Sequence, residues 1–280
     1  MKVTIAKSAG FCFGVKRAIE VAFQSVTHGK RVEMLGDIVH NNDVVSKINN
    51  AGIKTVSKLR NGKNKILLIR AHGAALKTFE KAKKLGYEVI DATCPMVKEI
   101  HHIVSKKEKD GYAIIIIGDK KHDEVQGIVG QLKSRAVVVD SRHPLPVSRL
   151  KKMKKAAVVV QSTQNIDRVL PLVEELKKYI HDLEFCNTIC QPTRVKQKEI
   201  RSMPIENDLI LVIGSKHSAN TKRLYEISSS LNKNTHWIES LHELNSKWFK
   251  GIHSVGITAG ASTPQEVTML IAEKVKKIFK

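Results

Sequence analysis

Short runs of β-branched and aliphatic residues alternate along this chain with segments whose apolar positions recur every three or four residues. The short runs are Val3 to Ala6, Val32 to Leu35, Lys65 to Ile69, Glu88 to Ile90, Ala113 to Ile117, Ala136 to Val139, Ala156 to Val160, Leu209 to Ile213 and Ser254 to Ile257. Helical spacing runs through Val15 to Val26, Thr78 to Leu85, Val97 to Lys109, Arg168 to Tyr179, Thr221 to Leu231 and Pro264 to Phe279. Neighbouring parallel strands need a crossover, usually a helix, so this alternation predicts parallel α/β sheets. The strand runs are nearly continuous in apolar residues, which predicts strands covered on both faces.

No exact repeat is present, yet Cys12, Cys94 and Cys190 divide the chain into approximate thirds. Each third has a cysteine, a helix and then two or three strand-helix units. This predicts three small parallel-sheet α/β domains around a shared centre, with limits at 1–94, 95–188 and 189–280. The polar stretch Ser141 to Lys155 reads as a surface loop with a short helix, and no Pro/Ser-rich linker separates the thirds.

Composition narrows the class. With 280 residues and 42% apolar content the chain can bury ordinary cores. No apolar h-region follows Met1-Lys2, and the longest aliphatic run, Ala113 to Ile117, is far short of the roughly 20 residues that cross a bilayer. A cytoplasmic protein without a membrane partner is expected. The formal charge of +21 raises two readings, attraction to nucleic acid or a basic chain acting on an anionic substrate. Lysines spread over helix faces such as Lys77 to Lys84, and few aromatics available for base stacking, favour the second reading over a nucleic-acid partner.

The unusual polar residues follow predicted strands. Gly36 to Asn41 contains His40, Arg70 to Gly73 contains His72, and Gly118 to Glu124 contains His122. Later strands run into Gln161-Ser162-Thr163, Gly214 to Asn220 and Thr258 to Ser262. Ligands of open α/β sheets bind beyond the carboxyl ends of strands, where loops converge and helix N-termini offer unpaired N–H groups. One such His or Ser is usually a loop residue or a helix cap. Six such strand ends favour a phosphate cradle, although neither a GxxxxGK(S/T) loop nor a GxGxxG turn is present. Cys186 reads as a buried thiol in the strand Leu183 to Cys186, whereas Cys12, Cys94 and Cys190 stand at strand-to-helix junctions. Helix N-termini stabilise thiolates, yet the wide spacing leaves metal ligation and plain burial both open.

Nine ordered segments, AGFCFGVKRAIE, DIVHNN, RAHG, DATCPMV, HDEVQGIVGQ, QST, NTICQPTRVKQ, GSKHSANTKRL and TAGASTP, resemble the 4-hydroxy-3-methylbut-2-enyl diphosphate reductase family from residue 9 to residue 264. The resemblance implies a trilobal, pseudo-threefold arrangement of three α/β domains around a [4Fe-4S] cluster held by Cys12, Cys94 and Cys190, with one iron open to substrate. By the same resemblance, His40, His72, His122, Ser218, Ala219, Asn220 and Ser262 line the diphosphate pocket. Ser162 and Thr163 line the substrate near the cluster, and Glu124 is the proton-delivering acid. The implied reaction is the terminal, reductive step of the non-mevalonate isoprenoid route, fed by a ferredoxin or flavodoxin and carried out by a monomer or weak dimer.

Three positions depart from the family pattern. Ala219 stands where a second serine is usual, which removes a hydroxyl from the anion site. Asp123 replaces a proline and brings negative charge beside that site. Ser162 replaces a common threonine and keeps the hydroxyl. A rival reading from another class remains, a basic nucleic-acid-binding protein with structural metal-bound cysteines.

Overall fold

The computed structural model describes residues 2–278. The chain begins with β1 (Lys2–Ile5) and α1 (Phe13–Ser25), followed by β2 (Arg31–Leu35), α2 (Asn42–Asn50), β3 (Ile53–Val56), β4 (Lys65–Ile69), α3 (Leu76–Lys84) and β5 (Glu88–Asp91). Next come α4 (Pro95–Lys109), β6 (Ala113–Ile117), α5 (Asp123–Val129), β7 (Val137–Val139), α6 (Val147–Leu150), β8 (Lys155–Val160), α7 (Ile166–Lys177) and β9 (Asp182–Phe185). The last stretch is α8 (Gln191–Glu206), β10 (Leu209–Ile213), α9 (Ala219–Leu231), β11 (Thr235–Ile238), β12 (Ser254–Ala259) and α10 (Gln265–Ile278). The helix expected over Pro264 to Phe279 is thus α10, and Phe279 lies outside the described residues.

Among the described residues twelve strands form three four-stranded sheets in which every pairing is parallel. Their orders are β3-β2-β4-β5, β7-β6-β8-β9 and β11-β10-β12-β1. This is the parallel α/β class that the alternation predicts. All three sheets share one plan, second-first-third-fourth, but the fourth strand of the last sheet comes from the start of the chain. Lys2 pairs with Ser254 and Ile5 with Ile257. A division at residues 94 and 188 would put β1 with the residues of the β2 sheet, whereas its backbone is bonded to β12. The run Val3 to Ala6 shows that a strand forms but carries no information about which edge accepts it.

The strands are covered on both faces, as expected. In the β6 sheet, Ile115, Ile117, Val158 and Val160 pack with Val169, Val173 and Leu176 of α7. Ile114, Ile116, Ala157 and Val159 face the other way, toward Ile100 and Val104 of α4 and Val125 and Ile128 of α5. In the β10 sheet, Leu209, Leu211 and Ile213 pack on α10, and Ile210 and Val212 on α8 and α9. Successive side chains point to opposite faces, so a doubly covered strand must be apolar at every position. Each such buried Ile, Leu or Val contributes ~1.5–3 kcal/mol relative to exposure. The pattern missed β3 and β11, edge strands with partly exposed polar residues such as Lys54 and His236, whose burial is too incomplete to leave a continuous apolar run.

The chain packs as two compact units. One comprises the chain up to Lys16, Val39–Ser46 and the chain from Cys190 onward, and holds the β10 sheet. The other comprises Arg17–Ile38 and Lys47–Ile189, and holds the β2 and β6 sheets.

Candidate functional site

In each sheet the strand order reverses between its first and third strands, and that is where a doubly wound sheet opens a crevice at its carboxyl edge. These strands are β2 and β4, β6 and β8, and β10 and β12. His40 follows β2, His72 follows β4, and His122 and Glu124 follow β6. Ser162 and Thr163 follow β8, Ser218 to Asn220 follow β10, and Ser262 follows β12. The polar residues singled out from sequence therefore occupy switch points, one topological position used six times.

At the β6 sheet, His122 is the N-cap of α5, and its Nδ1 accepts the backbone N–H of Glu124 at 3.2 Å. An accepting Nδ1 leaves Nε2 to carry the proton of a neutral ring. Glu124 is 2% exposed. Its carboxyl group accepts the Ser162 N–H at 2.6 Å and contacts the Ser162 hydroxyl at 2.8 Å. Burial pushes the Glu124 pKa above the usual carboxylate value, and the two Ser162 bonds oppose this less strongly. A buried, protonatable carboxyl group at a switch point can deliver a proton. Gln161 donates to the Thr163 hydroxyl at 3.2 Å, which orients the neighbouring side chain.

The β2 and β6 sheets share one unit, and the loops after β4 and β6, which carry His72 and His122, meet there. The rings of His72 and His122 lie edge to face with centroids 5.5 Å apart. Arg70, two residues before His72, places Nη1 2.7 Å from the carboxylate of Asp123, next to His122. The negative charge that Asp123 was expected to bring is therefore answered within the same unit. Gly73 adopts φ +76°, and a Cβ there would lie 2.8 Å from Cε1 of His101. Glycine permits both this backbone and the close approach. Burial lowers the His101 pKa to about 4, so this ring is neutral.

In the other unit, Ser218 caps α9 by accepting the Thr221 N–H at 3.3 Å, and Ala219 opens the helix. Asn220 is 4% exposed, and among the described residues neither of its side-chain amide atoms has a hydrogen-bond partner. Buried amides are nearly always satisfied, so this group is built to meet something further, and an anion or hydroxyl suits its donor. The Ser262 hydroxyl donates to the His40 carbonyl at 3.2 Å, which ties the loop after β12 to the one carrying His40.

Each of Cys12, Cys94 and Cys190 follows the fourth strand of a sheet, namely β1, β5 and β9. Their carbonyls accept the first helical N–H groups of α1, α4 and α8, from Lys16, Lys98 and Arg194. All are thiols and half-buried. Three such cysteines at helix starts offer three sulfur donors, the ligand type that holds an iron-sulfur cluster. Cys186 instead directly follows β9, donates its N–H to the Val158 carbonyl, and has its pKa raised by burial. This corrects the expected buried thiol within a strand, since Cys186 is half-buried and lies one residue past the strand.

A profile of the LytB protein family matches residues 3–276. The chain belongs to the LytB family. A LytB relative from Geobacter metallireducens, "4-hydroxy-3-methylbut-2-enyl diphosphate reductase", is 39% identical over 99% of this chain and 98% of its own. The protein of the same name from Geobacter sulfurreducens is 40% identical over 99% and 98%. Among solved structures, a LytB fold described as "(E)-4-Hydroxy-3-methyl-but-2-enyl Diphosphate Reductase, the Terminal Enzyme of the Non-Mevalonate Pathway" matches with TM-score 0.74 and 36% identity, covering 99% of this chain and 100% of that one. The Plasmodium falciparum reductase structure matches with TM-score 0.89 and 29% identity, covering 98% of this chain and 88% of that one.

Two groups in this LytB chain escaped the sequence reading. Arg70 was seen only as part of a motif, and its pairing with Asp123 follows from the approach of two loops. Lys196, 2% exposed, donates its ammonium to the carbonyls of Ser8, Gly10 and Ala259. It shares the buried stripe of α8 with Thr193, Ile200 and Met203, so a lysine on an apolar stripe was the available signal.

Proposed function

We propose that the chain is an iron-sulfur oxidoreductase that converts (E)-4-hydroxy-3-methylbut-2-enyl diphosphate to isopentenyl and dimethylallyl diphosphate. The observation that carries this reading is Glu124, a buried carboxyl group with a raised pKa, held by Ser162 beside the histidine cap of α5 in a LytB-family chain. The reaction breaks an allylic C–O bond, takes up two electrons and two protons, and releases water. Cys12, Cys94 and Cys190 would hold a [4Fe-4S] cluster, which when bound supplies single electrons and a Lewis-acidic iron.

The chain's own groups do the rest. Glu124 protonates the departing hydroxyl, with Ser162 fixing its carboxyl group and Thr163 lining the substrate. His40, His72, His122, Ser218, Asn220, Ser262 and the N–H of Ala219 hold the diphosphate, so that the hydroxyl end is aimed and water is excluded. A helix N-terminus such as that of α9 suits an anion through its unpaired N–H groups.

The electron donor in this reading is a ferredoxin or flavodoxin whose acidic surface meets the basic chain. The reading also places the protein in the cytoplasm, as a monomer or weak dimer with three domains divided near residues 94 and 188 and β1 assigned to the third. Among the described residues no helix is long and apolar enough to cross a membrane.

The test is anaerobic purification, visible and spin-resonance spectra, and a turnover assay with the diphosphate. Brown protein, a substrate-sensitive signal and both products are expected. A colourless protein with salt-dependent nucleic-acid affinity would overturn the reading.

Two substitutions probe the anion pocket. Ala219→Ser restores a hydroxyl at the start of α9 and is expected to bind substrate as tightly as the parent or more tightly. Clearly weaker binding would show the pocket assignment to be wrong. Arg70→Met leaves the Asp123 carboxylate uncompensated and is expected to raise KM about fivefold, ~1 kcal/mol, with kcat little changed. The double variant with Asp123→Asn should return KM to the parent value, and an unrepaired KM would detach the ion pair from substrate binding.

A further inference from the structure

Beyond the three thiols, one side chain joins the segments that carry two of them. Lys196 and Glu199 lie one turn apart on α8, the helix that starts at Cys190. The three N–H groups of the Lys196 ammonium meet three carbonyls, those of Ser8 and Gly10 in the loop leading to Cys12 and that of Ala259 at the end of β12. Three donors facing three acceptors, with almost no water access, fits a charged ammonium. Glu199 grips the same loop from the next turn, accepting the N–H of Lys7 at 2.5 Å, the N–H of Ser8 at 3.0 Å and the Ser8 hydroxyl at 2.5 Å. Cys12 is itself bonded through its N–H to the Ala261 carbonyl at 3.1 Å, two residues beyond the Lys196 acceptor Ala259. Gly10, at φ +99°, gives the loop the turn that exposes its carbonyl to Lys196.

We infer that Lys196 is a positioning residue for the cluster. It locks the Cys12 loop to the helix that begins at Cys190, and it puts a buried positive charge against the carbonyl of Gly10, two residues before Cys12, which favours the reduced cluster. A burial cost of this size for a lysine needs a compensating role, and an aliphatic side chain on this stripe of α8 would pack without it. Burial lowers the Lys196 pKa to about 8, and the Cys12 and Glu199 side chains oppose that shift less strongly. Groups that orient metal ligands set both retention and potential. The inference rests on the cluster reading above.

The test uses the anaerobically reconstituted holoprotein and the variants Lys196→Met, Lys196→Arg and Glu199→Gln. Iron and sulfide per chain, the rate of iron loss to a chelator, and the midpoint potential by spin-resonance titration are measured for each. Lys196→Met is expected to lose iron about 10- to 100-fold faster and to show a more negative potential. Lys196→Arg should recover the potential, because it keeps the charge. Glu199→Gln should speed iron loss while leaving the potential near that of the parent, because the ammonium stays. Parent-like iron loss and potential in Lys196→Met would overturn the inference. If circular dichroism shows Lys196→Met unfolded, parent-like iron loss in Glu199→Gln overturns it instead. A parent chain that takes up no cluster at all would sink the proposed function and this inference together, an outcome distinct from the other two.

Discussion

Glu124→Gln is expected to lower turnover by about 10²- to 10⁴-fold while cluster content and substrate affinity stay at parent levels. The substitution is nearly isosteric in a residue that is 2% exposed. A glutamine carbonyl can still accept the Ser162 N–H, and its amide can still meet the Ser162 hydroxyl, so the pocket keeps its shape. Only the transferable proton is lost. The raised pKa also fixes a sign. A carboxyl group whose folded pKa exceeds its unfolded one stabilises the fold fully below the unfolded value, and the contribution is lost as pH rises through the folded value. Glu124→Gln should therefore gain stability relative to the parent as pH rises above 4.5, the value from which the Glu124 pKa is raised, and urea denaturation at several pH values would measure it. In single turnover the parent rate should fall on the alkaline side as Glu124 ionises. Parent-like turnover in the variant would remove Glu124 from the acid role.

Cys190→Ser should abolish turnover and leave the protein largely without cluster iron, whereas Cys186→Ala should keep both. The two cysteines are four residues apart in sequence but differ in setting. Cys190 stands at the start of α8, its sulfur 3.1 Å from the Thr193 hydroxyl. Cys186 directly follows β9 against the apolar face that includes Ile114 and Val159, and burial disfavours its thiolate. A hydroxyl is a poor substitute for thiolate on iron, so the serine variant loses the ligand without losing volume. Iron and sulfide content with the visible spectrum of each variant decide the matter. A Cys190→Ser protein with a full cluster, or a Cys186→Ala protein without one, would mean that the ligand set is assigned wrongly.

Much of the site is legible in the chain alone because function here sits at strand ends. A run such as Leu209 to Ile213, buried at every position, must be a central strand, and the residues just after a central parallel strand must lie at the carboxyl edge. That logic placed His72, His122, Ser162 and Ser218 without knowledge of their neighbours. It was silent on Arg70 and Lys196. A lysine in a basic chain reads as one more solvated charge, and only the packing of α8 against the Cys12 loop reveals three carbonyls around it. The concern about Asp123 likewise disappeared once the β4 and β6 loops were brought together, because charge compensation depends on distances that sequence separation does not give.

By itself the sequence determined the parallel α/β class, the doubly covered strands, the junction position of three cysteines and the contrast between those three and Cys186. All of these are local consequences of hydrophobic periodicity and of which residue comes after which strand. Tertiary structure alone decided that β1 completes the last sheet, that the Glu124 carboxyl group is buried, and that Lys196 faces inward. Strand partners, burial of a charge and ion-pair geometry depend on which surfaces remain open when distant segments collapse, and a one-dimensional pattern does not encode that.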